Sequence, residues 1–445
     1  VLHLALESAV DNLGHIKMLS QKDNELLCRV GPGTAMGDVF RRFWNPVLPA
    51  SEVALPGGRP VRLRILGEEL VAFRDKSGQL CIIEEWCIHR RVSLALGRVE
   101  EDGIRCLYHG WKFGCDGTVK ETPNTKNINI RNHLRARTYP VREAGGLIWT
   151  YMGPTDKQPP FPQWRFMDIA PSNLIVVRLD SGSNYMQVLE GGADSSHVGV
   201  LHSNFARPGW MAGEFNANPD DDNPTALVSG ELAPDLEIED TEFGFHYAAV
   251  RPMTNQDGNP MHNVRIVPIV MPSTRIIPSR AMQTVLFEVP IDDENTRTIS
   301  IGFRIDGGPF DMDKYEEIRG RKNSALVDQT TGRYLGNWEN HFGQDREAME
   351  GNWSGIQGVV MEDLAMSMSP GPIVDRSGEH LVGADAAIVR ARRQLLDSAR
   401  RIQSGHDPIG VTADLSEVIA CDETVSTETR WQVLAPGHKP RTKDH

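Results

Sequence analysis

Cysteine is scarce in this chain, with six residues in 445. So few in so long a sequence cannot build the disulfide lattice of a small secreted domain. Cys28, Cys81, Cys115 and Cys421 show no paired spacing, so they are expected as free thiols in a reducing, cytoplasmic setting. No apolar run approaches the roughly 18 residues that cross a bilayer. The opening VLHLALESAV is interrupted by His, Glu and Ser, unlike the apolar centre of a signal peptide. Positive charge is also short: 47 Lys and Arg against 60 Asp and Glu leave a net charge of -13. A nucleic-acid partner, which draws on a basic surface, is therefore not expected. An anionic small molecule would need a local arginine or lysine pocket set against the overall field. The remainder, 40% hydrophobic and 24% charged, is ordinary for a soluble globular protein with room for roughly two to three domains.

Two of the cysteines sit in a telling pattern. Cys87-Ile88-His89 is followed, after sixteen residues, by Cys106-Leu107-Tyr108-His109. Two thiolates and two imidazoles are the ligands of a Rieske [2Fe–2S] centre, in which two Cys hold one iron and two His hold the other. Zinc also takes Cys2His2, but zinc fingers place like beside like, as C-x2–4-C and H-x3–5-H. Here each short pair is mixed, as expected when two loops each give one ligand to each iron. The reading is a one-electron relay.

The chain around this pattern reads as all-β. Residues 18–50 look partly helical, and Gly31-Pro32-Gly33 lacks the Gly-Lys-Ser/Thr ending of a phosphate loop, so it is read as a turn. From Val61 apolar and basic residues alternate, which predicts a half-buried strand over 61–65, then strands at 70–73, 80–83, from 110, and 147–151. The Pro-rich stretch 153–162 marks a domain boundary. Beyond it strands are predicted at 245–251, 266–271, 284–290 and 298–304. An amphipathic helix is predicted over 384–402, its arginines forming a solvated face. The expected class is α+β: an all-β N-terminal domain over 1–155, a catalytic domain over 156–410 with an antiparallel sheet flanked by helices, and an extended tail over 411–445 that could wrap a neighbour.

A second metal pattern lies at Asp194-Ser195-Ser196-His197-Val198-Gly199-Val200-Leu201-His202. Two neutral imidazoles and one carboxylate make the facial triad of non-haem Fe(II), which leaves positions open for oxygen. Five residues of straight helix turn by about 500°, which would point His197 and His202 about 140° apart. A break near Gly199 is therefore expected. The carboxylate must come from elsewhere, and Asp363 in Met361-Glu362-Asp363-Leu364 is the choice, with Glu362 competing because helix phase alone does not separate neighbours. A relay centre needs a recipient for its electron, and an oxygen-activating iron is a natural one.

These residues resemble a family, the oxygenase components of the Rieske non-haem iron oxygenases, in particular the phthalate dioxygenase-like branch. The likeness runs through Leu19-Ser20-Gln21, Arg29 to Thr34, Gly103 to Trp111, Gly146 to Trp149, Glu190 to His202, Pro372 to Arg376, and Glu379-His380-Leu381. It implies that Cys87, His89, Cys106 and His109 hold the cluster, and that His197, His202 and Asp363 hold the mononuclear iron. It also implies that Asp194 bridges a cluster His of one subunit and an iron His of the next, in a homotrimer or stacked trimers. O2 would be the co-substrate, with electrons passed from NAD(P)H by a separate flavin and iron–sulfur reductase. Two departures stand out. The first loop reads Cys-Ile-His-Arg-Arg where the family has Cys-Pro-His-Arg-Gly, and Glu190-Gly191 replaces Glu-Asn.

The function so implied is oxidation of an aromatic carboxylate, by ring hydroxylation of a phthalate-like substrate. O-demethylation of a methoxylated, lignin-derived aromatic acid is the alternative within the class. Arg251, on the predicted strand 245–251, is the candidate to pair with a substrate carboxylate, although arginines more often serve as structural or exposed partners. A non-catalytic Rieske electron carrier is the rival from another class, and it leaves everything after residue 155 without a purpose.

Overall fold

The computed structural model describes residues 18–203, 232–255, 257–279, 282–322 and 324–441. The stretch 1–10 weighed above as a signal peptide lies outside them. Helix α1 (Gln21–Cys28) starts where Ser20 accepts a hydrogen bond from the Asp23 amide, and α2 (Ala35–Arg41) starts at Thr34, which caps Gly37 in the same way. Strand β1 (Trp44–Pro49) follows. The alternating segment forms β2 (Val61–Ile65), with β3 (Glu68–Arg74) and β4 (Leu80–Glu84) completing an antiparallel three-stranded sheet. Strands β5 (Arg98–Glu100), β6 (Gly103–Arg105), β7 (Lys112–Phe113) and β8 (Val119–Glu121) make a second small sheet. Strands β9 (Val141–Ala144) and β10 (Leu147–Tyr151) pair back onto β1.

The small sheets bury Val71, Phe73, Ile83, Ile104 and Phe113 in a core of their own. Cys81 on β4 and Cys115 in the turn after β7 also meet there. Expected as free thiols, they are joined by a disulfide. The sequence hides this pair because 34 positions separate a strand of one sheet from a turn of the other, which only the tertiary packing brings together.

The Pro-rich stretch is packed, with Phe161 edge-on to Trp44 and Trp149 at 5.2 and 5.6 Å. After it, β11 (Ile175–Ser181) enters a ten-stranded sheet. That sheet is built from β12 (Asp235–Thr241), β13 (Gly244–Thr254), β14 (Pro260–Val270), β15 (Thr274–Ser279), β16 (Met282–Pro290) and β17 (Thr296–Arg304) in meander order. Beyond β11 lie the short β19 (Arg333–Tyr334) and β18 (Val327–Asp328). All pairings are antiparallel except β11 with β19. The tail does not hang free: β20 (Cys421–Ser426) pairs with β14 from Met261 to Ile266.

Among the described residues, five helices lie on this sheet or beside it: α3 (Tyr185–Gly192), α4 (His197–Val200), α5 (Met312–Ile318), α6 (Val359–Met368) and α7 (Ala386–Gln403). Among the described residues, no helix is long and apolar enough to cross a membrane. Helix α7 packs on α1 and α2. Its arginines form the expected solvated face only in part: Arg400 and Arg401 are exposed, Arg400 also meeting Asp23, whereas Arg390 pairs with Asp240 and Arg392 turns inward. Hydrophobic periodicity identifies the buried stripe of a helix but not which charged residues meet partners across it.

Arg392 belongs to a buried ion network that ties the helices together. Glu190 at the end of α3 accepts two hydrogen bonds at 2.8 Å from Arg376 and one at 2.6 Å from Arg392, which also pairs with Glu379. Arg376 reaches Asn24 and Cys28 on α1 as well. Burial would push the Glu190 carboxyl up, but the two guanidiniums outweigh it and hold its pKa below the ordinary 4.5. Its contribution to stability is thus complete above about 4.5 and is lost as pH falls through the lower folded value. Removing one partner leaves a buried uncompensated charge. Arg376→Met should cost about 3–5 kcal/mol, read by chemical denaturation at neutral pH, with the deficit narrowing in acid as Glu190 protonates.

Candidate metal centres and the cavity between helices and sheet

The two cysteine–histidine loops close in the same way. The Cys87 amide donates to the Val92 carbonyl at 2.9 Å, and the Cys87 carbonyl accepts from the Arg91 amide at 2.8 Å. In the second loop the Cys106 amide donates to Trp111 at 2.9 Å, and its carbonyl accepts from Gly110 at 3.0 Å. The fourth residue after each Cys adopts a left-handed conformation, Arg91 at φ 57° and Gly110 at φ 73°. Glycine suits that geometry; an arginine carries a strain of about 1–2 kcal/mol there. Arg91 offsets part of it by reaching the Glu84 carboxylate at 3.3 Å. The departure from Gly therefore gives a strained but tethered loop.

The loops bring like donors together. The Cys87 thiol interacts with Cys106, and the His89 and His109 rings meet edge to face at 4.7 Å. Trp111 stacks on His89 with its ring plane tilted by 4°. Burial pushes the Cys87 thiol up to about 11, outweighing the His89 and Arg90 backbone N–H groups that favour its thiolate. His109 Nδ1 is buried with no hydrogen-bond partner. Among the described residues, no three of these four donors converge within 4.8 Å, whereas one tetrahedral zinc ion would draw all four together. Two thiols at one end and two imidazoles at the other suit a two-iron cluster.

The second pattern converges on a point. His197, His202 and Asp363 each offer a ligand atom within 4.8 Å of the others. Helix α3 ends at Gly192, the chain bends, and α4 carries His197. The break expected near Gly199 falls one residue beyond it, since Gly199 lies inside the short α4. The helical turn stops at Val200, just before His202. The two rings therefore stand 5.1 Å apart instead of facing opposite ways.

Both imidazoles are held at their outer edges. Asp194 Oδ2 lies 3.2 Å from His197 Nδ1, and Glu362 Oε2 lies 2.7 Å from His202 Nδ1. The inner nitrogens face Asp363 Oδ1, at 3.6 Å from His197 Nε2 and 3.0 Å from His202 Nε2. This separates the two acids of α6. Asp363 joins the rings, while Glu362, fully buried, orients His202 and accepts from Ser354 Oγ at 2.5 Å. The orienting role of Glu362 and the part of Ser354 are invisible in sequence, because nothing in their spacing relates them to His202. Burial disfavours charge on all three converging groups, yet their mutual attraction prevails. The His202 pKa is raised to about 9 by Asp363 and Glu362, and the Asp363 carboxyl is held well below its usual range.

These groups open onto a cavity of about 490 Å³. Val188, Leu201, Ile277 and Leu286 supply apolar wall, and Asp194, His197, His202 and Asp363 line it too. Gly191 also lines it, and a Cβ there would meet nothing within 4 Å, so the side chain missing relative to Glu-Asn leaves open space. The adjacent Gly192 is different, since a Cβ would fall 1.8 Å from Arg275 Cδ. Arg251 does not reach the cavity. It is buried on β13, and its Nη2 donates to Ser195 Oγ at 3.0 Å, bracing the loop that presents Asp194 and His197.

Residues 43–140 match the model of the Rieske [2Fe-2S] domain, and residues 150–441 match one described as LigXa C-terminal domain like. The oxygenase subunit of phthalate 4,5-dioxygenase from Pseudomonas putida is 37% identical over 425 residues, 93% of this chain and 94% of that one. The chain belongs to the Rieske non-haem iron oxygenases, in their phthalate dioxygenase-like branch. The oxygenase subunit of 3-chlorobenzoate-3,4-dioxygenase from Comamonas testosteroni is 35% identical, covering 88% of this chain and 92% of that one. That of 5,5'-dehydrodivanillate O-demethylase from Sphingobium sp. (strain NBRC 103272 / SYK-6) is 31% identical, covering 89% and 84%. The fold matches the terminal oxygenase of carbazole 1,9a-dioxygenase from Nocardioides aromaticivorans IC177 at a TM-score of 0.54 and 17% identity, over 85% of this chain and 97% of that one.

As a Rieske oxygenase the protein is an oxidoreductase using O2, a [2Fe–2S] cluster, a mononuclear iron and electrons from a separate redox protein. The donor sets described above are of the kinds each metal group needs.

Proposed function

We propose that this Rieske oxygenase hydroxylates the ring of an aromatic carboxylate of phthalate type. Cys87, His89, Cys106 and His109 hold the cluster, and His197, His202 and Asp363 hold the iron. The observation that carries this reading is the convergence of those last three residues at the wall of a half-apolar cavity. When bound, the two groups supply electrons singly for reductive activation of O2. The protein's part is positioning. Asp194 and Glu362 accept the Nδ1–H of His197 and His202, which fixes both rings in the tautomer that presents Nε2 to a metal. The buried setting of His202 and Glu362 keeps water from that side of the triad.

Asp194 has a second role in this reading. It also accepts from a cluster histidine of a neighbouring subunit, coupling the two centres across the interface of a homotrimer or stacked trimers. The partner that feeds the cluster is a flavin and iron–sulfur reductase using NAD(P)H, and the setting is the cytoplasm. The chain divides near residue 155 into a Rieske and a catalytic domain, with the tail from 411 onward returning to the latter. O-demethylation of a methoxylated aromatic acid is the second reading, favoured by the likeness to the dehydrodivanillate O-demethylase subunit.

His197→Ala and Asp363→Ala should each leave about two irons per chain in place of about three, with the Rieske spectrum intact; unchanged iron content in either variant rejects that ligand. Asp194→Asn should retain both metal groups and still turn over at least about 100-fold more slowly, as expected when a group orienting a ligand and coupling two centres is lost. Normal turnover would remove the bridge. Supplied with reductant and O2, the enzyme should convert a benzene carboxylate to a cis-diol. Formaldehyde released from a methoxylated acid, with no diol from any acid, would transfer the assignment to the demethylase reading.

A further inference from the structure

Four arginines line the cavity: Arg265, Arg275, Arg319 and Arg321. In a chain of net charge -13, each guanidinium placed beside the iron triad has to be accounted for. Three carry a carboxylate of their own. Arg265 Nη1 lies 3.2 Å from Asp422, Arg275 Nη1 lies 2.5 Å from Glu288, and Arg321 pairs with Glu316. Arg319 does not. Its Nη2 donates to Thr284 Oγ1 at 2.7 Å, and its guanidinium lies over the Tyr315 ring, 4.3 Å from the centroid. Among the described residues no carboxylate stands within ion-pair distance of it.

Such a group is costly to keep without purpose, because a cation withdrawn from water needs a counter-charge. Burial, the largest influence, depresses the Arg319 pKa; Tyr315 opposes this most, Arg321 adds to it, and Glu316 and Asp363 oppose it less. The guanidinium and the iron triad line the same cavity. Closing helix α5 explains little of the charge, since the cap is made by the Arg319 backbone N–H and the dipole of a helix this short favours a cation only modestly. Thr284 and Tyr315 in turn hydrogen-bond each other at 2.8 Å, so the surface on which the guanidinium rests is itself fixed. A planar fork held on one edge and one face, with no further protein acceptor among the described residues, is the arrangement that accepts a carboxylate with two hydrogen bonds.

We propose that Arg319 is the substrate-binding arginine of this cavity, receiving the carboxylate of the aromatic acid while the ring rests on the apolar wall near His197, His202 and Asp363. This rests on the aromatic-acid reading above and assigns to Arg319 the part that the sequence suggested for Arg251. Arg265, Arg275 and Arg321, already neutralised, shape the wall.

The test uses the full enzyme loaded with both metal groups, titrated calorimetrically under argon with benzoate and phthalate and with the matching carboxamides. The parent enzyme should bind at least one acid roughly 10- to 100-fold more tightly than its amide, the span that a charge-assisted pair supports. Arg319→Met should abolish that preference at unchanged iron content and Rieske spectrum. Arg319→Lys should restore part of it, as a point charge without the fork. Should Arg319→Met not fold, Thr284→Val, which frees the guanidinium from its fixed edge, should reduce the preference several-fold. If Arg319→Met, or failing it Thr284→Val, keeps the full preference, the assignment of Arg319 is overturned while the aromatic-acid reading stands. A parent enzyme that binds amides as well as acids, or binds neither, overturns both.

Discussion

Two imidazole rings have to point the same way although their places in the chain would send them apart, and much of the catalytic half of the molecule serves that requirement. The rings of His197 and His202 are held from behind by Asp194 and Glu362 and face Asp363 in front. Each outer carboxylate is itself secured. Asp194 Oδ1 accepts from the Ser196 amide, and Glu362 accepts from Ser354. The loop between α3 and α4 is braced by Arg251 through Ser195, and α3 is anchored by Glu190 to Arg376 and Arg392. The buried ion network is thus the far end of a chain of contacts that begins at the rings. A small rotation of α3 would be felt at His197, so the ion network at its end helps hold the ring in place.

Charge in the cavity obeys a similar economy. The chain is acidic overall, and the arginines lining the cavity are matched singly, by Asp422, Glu288 and Glu316, leaving Arg319 without a carboxylate partner among the described residues. In the aromatic-acid reading proposed above, an apolar wall beside that guanidinium and a carboxylate–imidazole triad distinguishes the charged from the uncharged end of a flat ring. Orientation of a reacting carbon toward the metal then follows from where the charge is held.

Much of this could be read from the sequence, and the exceptions have a common cause. The cluster ligands are legible because two loops each present their donors within three or four residues, so local spacing alone carries the pattern. His197 and His202 are legible for the same reason. The α+β class follows from period-two alternation in strands such as β2 and from the amphipathic stripe of α7. What failed depended on contacts across the fold. Glu362 and Asp363 differ by one helical step, and only the location of His202 decides which faces the cavity. Arg251 and Arg319 are chemically identical in sequence; one meets Ser195 and the other meets Tyr315 and Thr284. Cys81 and Cys115 look solitary until two small sheets pack together, and Arg390 and Arg392 of α7 look solvent-facing until Asp240 and Glu190 arrive opposite them.

The strand β20 carries one further implication. It pairs with the edge of β14 and brings Asp422 to Arg265 and Asn263. Asp422 is nearly fully buried and does not line the cavity, yet it sets whether one of the cavity's arginines is neutral in effect or available. The electrostatic character of the pocket is therefore partly written in the last few dozen residues of the chain, outside the core that holds the metals. Ligand selectivity in such an enzyme can drift by a single exchange in a peripheral strand, leaving the catalytic groups untouched.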